Sequence, residues 1–297
     1  MNYGIIDLGS NSVRLEIFSY KDSVLKNIYS KRAVVGLASY VLPEGYLSDL
    51  GISSAIDVVK TFKDEAAAFE LKKLYVIATA TIRNARNQNE IINRINKACE
   101  VKVELLDEKS EALYGVRGVR SQTDFDHGVV LDIGGGSTEV TLIKEGKVLE
   151  AHSLPLGSLN SFITFVKEIL PTSQEKERIQ KAVFNALSFS KVTQMKFDHI
   201  YGIGGSLKAA KVLIESFNGK KITYLTRSNI KDLINKIDPS KKQTYLSIIR
   251  MIPERLHTIL PGLIILDSIM NYFDIEKVFI SQSGIREGYI LDHIKTA

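Results

Sequence analysis

The strongest constraint on this chain is a pattern that occurs twice. Asn2–Asp7 is a short apolar run ending in Asp7-Leu8-Gly9-Ser10-Asn11-Ser12, and Val13–Ser19 follows as a second strand-like run. Gly128–Asp132 repeats it, ending in Asp132-Ile133-Gly134-Gly135-Gly136-Ser137 ahead of Glu139–Lys144. Each copy reads as strand, glycine-bearing tight turn and strand, with an aspartate closing the first strand. The copies start 125 residues apart, about one domain length. Duplication of an α/β domain is the economical explanation.

The rest of the chain agrees with two such domains. A third strand candidate follows each hairpin, Val24–Val35 and Lys147–Leu154, after which helical and strand patterns alternate. Ile52–Phe69 carries apolar residues at helical spacing, Leu74–Thr79 reads as a buried strand, Asn89–Ala98 as a helix and Val103–Leu106 as a strand. In the second half, His199–Gly204 and Lys277–Ser281 read as strands, with helices near 173–192, 207–216, 228–236 and 263–272. Three strands and then alternating elements, twice over, predict two α/β domains facing one another. We place the first at 1–120, completed by a C-terminal helix over 286–297, and the second at 121–285.

Composition narrows the class. With 44% hydrophobic and 25% charged residues over 297 positions, the chain has the mix of a globular protein with a sizeable core. Its single cysteine, Cys99, excludes an intrachain disulfide. No apolar run reaches the ~18 residues of a membrane span, and the N-terminus lacks the pattern of a signal peptide. The expectation is a cytoplasmic protein without a membrane partner. The net charge of +5 comes from basic residues spread along the chain. It argues against nucleic acid as the main partner and weakly for an anionic ligand.

Three glycine sites carry the candidate chemistry. The loop Gly9-Ser10-Asn11-Ser12 can turn consecutive N–H groups toward one point as an anion nest, with Arg14 as a planar fork for phosphate. By itself a hairpin turn with polar tips reads the same. Gly134-Gly135-Gly136-Ser137 is sharper, since three glycines in a row sacrifice backbone order unless something must approach closely. Asp132 and Glu139 bracket that turn and can converge on a hydrated Mg²⁺, although two ordinary surface acids would look alike. Gly204, Gly205 and Ser206 open a helix after a strand, a geometry that suits a phosphate or nucleotide and equally suits close strand–helix packing. Lys208, one turn on, either reaches a phosphate or extends to solvent. Arg83 sits just past a strand end, where ligands gather in open α/β sheets. Glu111 opens a helix, where it also complements the helix dipole.

Other chemistries find no support. The five histidines form no i,i+4 pair and have no cysteine partner, which argues against zinc. Neither G-x-x-x-x-G-K-[ST] nor G-x-S-x-G occurs.

Taken in order, these residues resemble the exopolyphosphatase/guanosine pentaphosphate phosphohydrolase (Ppx/GppA) family, within the superfamily of actin, sugar kinases and heat-shock ATPases. The match includes Asp7-Leu-Gly-Ser-Asn-Ser-Val-Arg14, Ala78-Thr-Ala-Thr-Ile-Arg83, Ser110-Glu111-Ala112 and Asp132-Ile-Gly-Gly-Gly-Ser-Thr-Glu139. It continues through Leu154-Pro-Leu-Gly157, Gly204-Gly-Ser206 and Gly284-Ile-Arg286-Glu-Gly288, nearly the whole chain. The resemblance implies the short form of the family. Its fold would be two duplicated actin-like (ribonuclease H-like) domains with the active site in the interdomain cleft. It implies a hydrolase that releases terminal orthophosphate from inorganic polyphosphate or converts pppGpp to ppGpp with Mg²⁺, in the stringent response.

The implied roles fall on matching positions. Glu111 takes the general base and Asp132 and Glu139 the metal contacts. Phosphate binding falls on Gly9, Ser10, Asn11, Ser12, Arg14, Arg83, Gly134, Gly135, Gly136 and Ser137. Nucleotide binding falls on Gly204, Gly205, Ser206, Lys208 and Arg286, the last of which would equally serve as a helix-start arginine paired with a nearby acid. Two positions depart from the pattern: Lys109-Ser110 stand just before Glu111 where the family often has a second glutamate, and Lys208 replaces a small or apolar residue. Alternatives are a non-catalytic (p)ppGpp sensor and an ATP-dependent phosphotransferase or ATPase on the same fold. The oligomeric state is open, with a homodimer as the assembly to test.

Overall fold

Asn2–Leu8 forms β1, the middle strand of a five-stranded sheet. It pairs antiparallel with β2 (Ser12–Lys21) and parallel with β4 (Leu71–Ala78). The outer strands are β3 (Val24–Val34) and β5 (Val103–Leu105), giving the order β3-β2-β1-β4-β5. Helices α1 (Asp49–Ala66), α2 (Ala80–Arg83), α3 (Gln88–Cys99) and α4 (Glu108–Arg120) follow in the connections. Both faces of β1 are covered. Ile6 and Leu8 pack in the core that holds α1 and α3, while Tyr3 and Ile5 pack with Tyr289 and Ile290 of the last helix. A strand covered on both faces requires a continuous apolar run, and this one supplies it.

The second sheet repeats the arrangement. Strands β6 (Gly128–Ile133), β7 (Thr138–Lys144) and β8 (Lys147–Leu154) form the antiparallel set, followed by α5 (Ser158–Phe165) and α6 (Ser173–Phe189). Then come β9 (His199–Ile203), α7 (Gly205–Asn218), β10 (Tyr224–Thr226), α8 (Arg227–Lys236) and α9 (Lys242–Met251). The chain continues through α10 (Ile259–Phe273) and β11 (Lys277–Ile280) to α11 (Ile285–Lys295). The order is β10-β11-β9-β6-β7-β8. Reading outward from β1 and from β6, the neighbours match, and β10 is an added edge strand.

This computed structural model describes residues 1–295. They fall into two units, Met1–Tyr114 with the segment from Ile285, and Gly115–Gly284, so the division lies within α4. No helix among the described residues is long and apolar enough to cross a membrane.

Several elements differ from the sequence reading for identifiable reasons. Helix α1 begins at Asp49 because the Ser48 hydroxyl caps it, accepting from the Gly51 N–H at 3.3 Å. Helix α4 begins at Glu108, not at Glu111, because Asp107 Oδ1 accepts from the Ser110 N–H at 2.7 Å. Helix α10 starts four residues earlier than position 263, with Pro261 tolerated in its first turn. Short α2, α5 and α9 and the three-residue β10 have no counterpart in the sequence reading. Three-to-ten-residue segments give periodicity too little length to register.

Candidate functional site

In the first unit, the loop from Gly9 to Ser12 joins β1 to β2. The Ser10 carbonyl accepts from the Ala38 N–H at 3.0 Å, and the Asn11 carbonyl accepts from Gly36 at 2.8 Å and Val35 at 3.2 Å. In a trans peptide the N–H points opposite the carbonyl of the same unit. The Asn11 and Ser12 N–H groups are therefore turned away from the 35–38 segment.

Across the β1–β2 register Asp7 faces Arg14, and across β2–β3 Arg14 faces Arg32. Arg286, at the start of α11, donates from Nη1 to Asp7 Oδ2 at 2.9 Å and places Nε 3.1 Å from Glu16 Oε1. Burial, and then the neighbouring Arg286 charge, push the Arg14 guanidinium down to about 10. Arg286 itself is held fully protonated: burial opposes its charge, but Glu16 and Asp7 more than offset it. The acid pairing that the sequence left open for Arg286 is thus present, and Glu16 is a partner that sequence reasoning missed.

Arg83 and Glu111 meet in the same unit. Arg83 closes α2 after β4, and Glu111 lies in the first turn of α4 after β5, so both stand at C-terminal ends of neighbouring parallel strands. Arg83 Nη1 donates to the Glu111 carboxylate and to the Leu106 carbonyl, the latter at 3.0 Å. Glu111 is 2% exposed and Arg83 12%. The Nε and Nη2 atoms of Arg83 are buried and have no hydrogen-bond partner among the described residues; Nη2 stands 4.0 Å from Glu108 Oε1. Those two nitrogens form one edge of the guanidinium, the fork that takes two oxygens of a phosphate or carboxylate.

In the second unit the glycine loop is fixed by α5. The Gly134 carbonyl accepts from the Ser158 N–H at 2.9 Å and the Gly135 carbonyl from Leu159 at 2.9 Å and Asn160 at 3.0 Å. The Gly136 carbonyl accepts from Asn160 Nδ2 at 2.6 Å. With three successive carbonyls tied to α5, the N–H groups of Gly135, Gly136 and Ser137 point the other way, which is the arrangement of an anion nest. Close approach is built in: a Cβ on Gly157 would lie 2.4 Å from the Gly135 carbonyl carbon.

Asp132 and Glu139 are register partners on β6 and β7, so their side chains share one face. Glu139 Oε1 accepts from the Ser137 hydroxyl at 2.6 Å and the Ser153 hydroxyl at 3.1 Å. Gly204 has φ +91°, and a Cβ there would sit 2.4 Å from Asp132 Oδ1. The carboxylate oxygen packs against the Gly204 backbone, an approach that a side chain there would block. Among the described residues there is no cluster of three or more metal-binding side chains. Mg²⁺ needs only one or two carboxylates, completing its shell with water and phosphate. The two carboxylates facing one another across β6 and β7 fit that requirement.

At the third glycine site two side chains have partners within the protein. Ser206 is buried and accepts from Arg255 Nη1 at 3.3 Å, and Lys208 Nζ donates to the Gln282 carbonyl at 3.0 Å. Ser153, Asn160 and Arg255 carry no sequence signal of their own; they are ordinary polar residues until the fold brings them to the loop.

The fold is that of a protein built on a duplicated α/β hairpin domain, each copy with a polar loop after an aspartate-ended strand. A profile of the Ppx/GppA phosphatase family matches residues 16–297. The chain belongs to that family. It is similar to a putative exopolyphosphatase of Haemophilus influenzae, 24% identical over 96% of this chain and 89% of the relative. It is also similar to the guanosine-5'-triphosphate,3'-diphosphate pyrophosphatase of Aeromonas hydrophila, 25% identical over 97% of this chain but only 58% of the relative. Among solved structures, the Aquifex aeolicus Ppx/GppA family member is 29% identical with a TM-score of 0.81, covering 100% of this chain and 98% of that one. An exopolyphosphatase from Cytophaga hutchinsonii, 19% identical over 99% and 98% of the two chains, reaches 0.87, which bears on the fold alone.

Proposed function

We propose that this protein is a phosphoanhydride hydrolase that releases terminal orthophosphate from inorganic polyphosphate, from pppGpp, or from both. The observation that carries the reading is the buried Nε/Nη2 edge of Arg83, without a hydrogen-bond partner among the described residues, beside the carboxylate of Glu111. Burying one edge of a guanidinium without hydrogen bonds is costly unless an anion completes it. The nest of the Gly134–Ser137 loop supports the same class of ligand.

In this reading Arg83 neutralises charge on the terminal phosphate, which otherwise repels a nucleophile. Glu111 accepts a proton from water as the water oxygen bonds to the terminal phosphorus. The bridging P–O bond breaks, and the shortened phosphate chain leaves with the bond's electrons. Asp132 and Glu139 would hold Mg²⁺, which when bound supplies further neutralisation of the phosphate charge. Arg14 and the Ser10–Ser12 loop bind further phosphates of the substrate.

The test is orthophosphate release from long-chain polyphosphate and from pppGpp, side by side, with Mg²⁺ or with excess EDTA. Mg²⁺-dependent release from either substrate supports the reading. Tight pppGpp binding with no release would make the protein a sensor. Full activity in EDTA would remove the cation.

A further inference from the structure

We propose that Glu108 competes with phosphate for the free edge of Arg83, and so sets how tightly this site holds an anion. The inference rests on the phosphate reading of Arg83 above. The edge is Nε with Nη2, both buried and without a hydrogen-bond partner among the described residues. Three acids surround this guanidinium, all within the stretch 107–111 that follows β5. Glu111 pairs with Nη1, the nitrogen outside the edge. Asp107 accepts from the Ser110 N–H and from the Ser110 hydroxyl. Glu108 is the acid that stands against the edge, its Oε1 4.0 Å from Nη2.

Distance and exposure decide what that contact does. At 4.0 Å the two charges attract, but the separation exceeds a hydrogen bond, so Glu108 offsets the charge of the edge without satisfying its donors. The Glu108 side chain is 58% exposed and that of Arg83 12%. An exposed carboxylate leaves such a pair at little cost, while Arg83 stays fixed by Glu111 and the Leu106 carbonyl. The mobile partner is therefore the acid. A phosphate brings two oxygens to the edge at hydrogen-bond distance and bears the same sign of charge as Glu108. Both cannot occupy it. Binding then requires Glu108 to swing toward solvent. The apparent affinity is the intrinsic one scaled by the fraction of molecules in which it has done so.

The experiment is orthophosphate binding to the full chain by isothermal titration calorimetry, in EDTA and at low ionic strength. Glu108→Gln and Glu108→Ala are expected to bind orthophosphate about two- to fivefold more tightly than wild type, the range that exposed ion pairs span. Glu100→Gln makes the same change in net charge at the C-terminal cap of α3, on a side chain 88% exposed, and leaves the affinity unchanged. Arg83→Lys keeps a cation beside Glu111 but loses the fork, and binds more weakly. Wild-type affinity in both Glu108 variants overturns the role of Glu108 and leaves the hydrolase reading standing. Equal tightening in Glu100→Gln also overturns it, since net charge alone would then be responsible. No orthophosphate binding by any of these chains, or binding undiminished by Arg83→Lys, overturns the phosphate reading of Arg83 and this inference together.

Discussion

Where β1 ends at Asp7, the row across the first sheet continues with Arg14 and Arg32; where β6 ends at Asp132, the matching row continues with Glu139 and Ser153. The hairpins agree in finer detail. Each has a register shift on its outer pair, after Ile17 in one and after Leu142 in the other, 125 residues apart like the aspartates. Each closes on two positive-φ residues, Asp22-Ser23 and Glu145-Gly146, the turn that suits the right-handed twist of a two-residue hairpin. In both, the carbonyls of the polar loop are consumed by the segment that follows the third strand. One backbone device thus turns N–H groups outward twice, while the side chains beside it have opposite charge. The first row carries two arginines beside its aspartate, and the second a glutamate and a serine. The rows differ at two register positions, Arg14 against Glu139 and Arg32 against Ser153.

The comparison can be broken in order of expected effect. Asp132→Ala should lower Mg²⁺-supported turnover by more than the roughly 10–100-fold seen when outer partners of a metal are lost. Steady-state phosphate release across a Mg²⁺ titration measures it, and an unchanged Mg²⁺ dependence would mean the second row is not a cation row. Arg286→Met tests the first row. It leaves Asp7 and Glu16 buried without the cation that pairs them, which should cost about 3–5 kcal/mol of stability in urea unfolding. A loss below the resolution of the measurement would show that this acid–base row does not hold α11 to its sheet.

Gly204→Ala adds a Cβ 2.4 Å from Asp132 Oδ1 at a positive φ, and strain of that kind costs about 1–3 kcal/mol. Its melting temperature should fall and its Mg²⁺ requirement rise together, because the displaced group is the carboxylate itself. The smallest effect is at the cap of α4. Asp107 is held below the ordinary carboxylate range, first by the hydrogen bond from the Ser110 N–H and then by the Ser110 hydroxyl. A depressed pKa contributes stability above the unfolded value of 3.8. That contribution is lost as pH falls below that value and through the lower folded one. Asp107→Ala should cost about 0.5–2 kcal/mol near neutral pH and nothing further in strong acid. Amide exchange at Ser110 and Glu111 reads it directly.

Much of this was legible in the residues. The strands β1, β2, β6 and β7 and the long helices carry strong periodicity, and the glycine loops mark where the chain turns tightly between strands. What was not legible depends on partners far away in sequence. Arg83 reads as a loop arginine until β4 and β5 lie side by side and bring it to Glu111, 28 residues on. Arg286 and Asp7 are 279 residues apart and meet only because α11 returns to the first sheet. Ser153 and Asn160 gain meaning from register and from a helix too short to predict. Composition and spacing report local structure well; they do not report which donor fills which lone pair.

The central claim is that Glu111 accepts the proton of the attacking water, and Glu111→Gln tests it most directly. Glutamine keeps the shape and can still accept a hydrogen bond from Arg83, but it cannot take a proton. Turnover on polyphosphate should fall about 10²–10⁴-fold, while polyphosphate affinity, measured by equilibrium binding on the same variant, persists or tightens. A variant that turns over at near wild-type rate and differs only in melting temperature would make Glu111 a structural partner of Arg83, and the account of catalysis would be wrong.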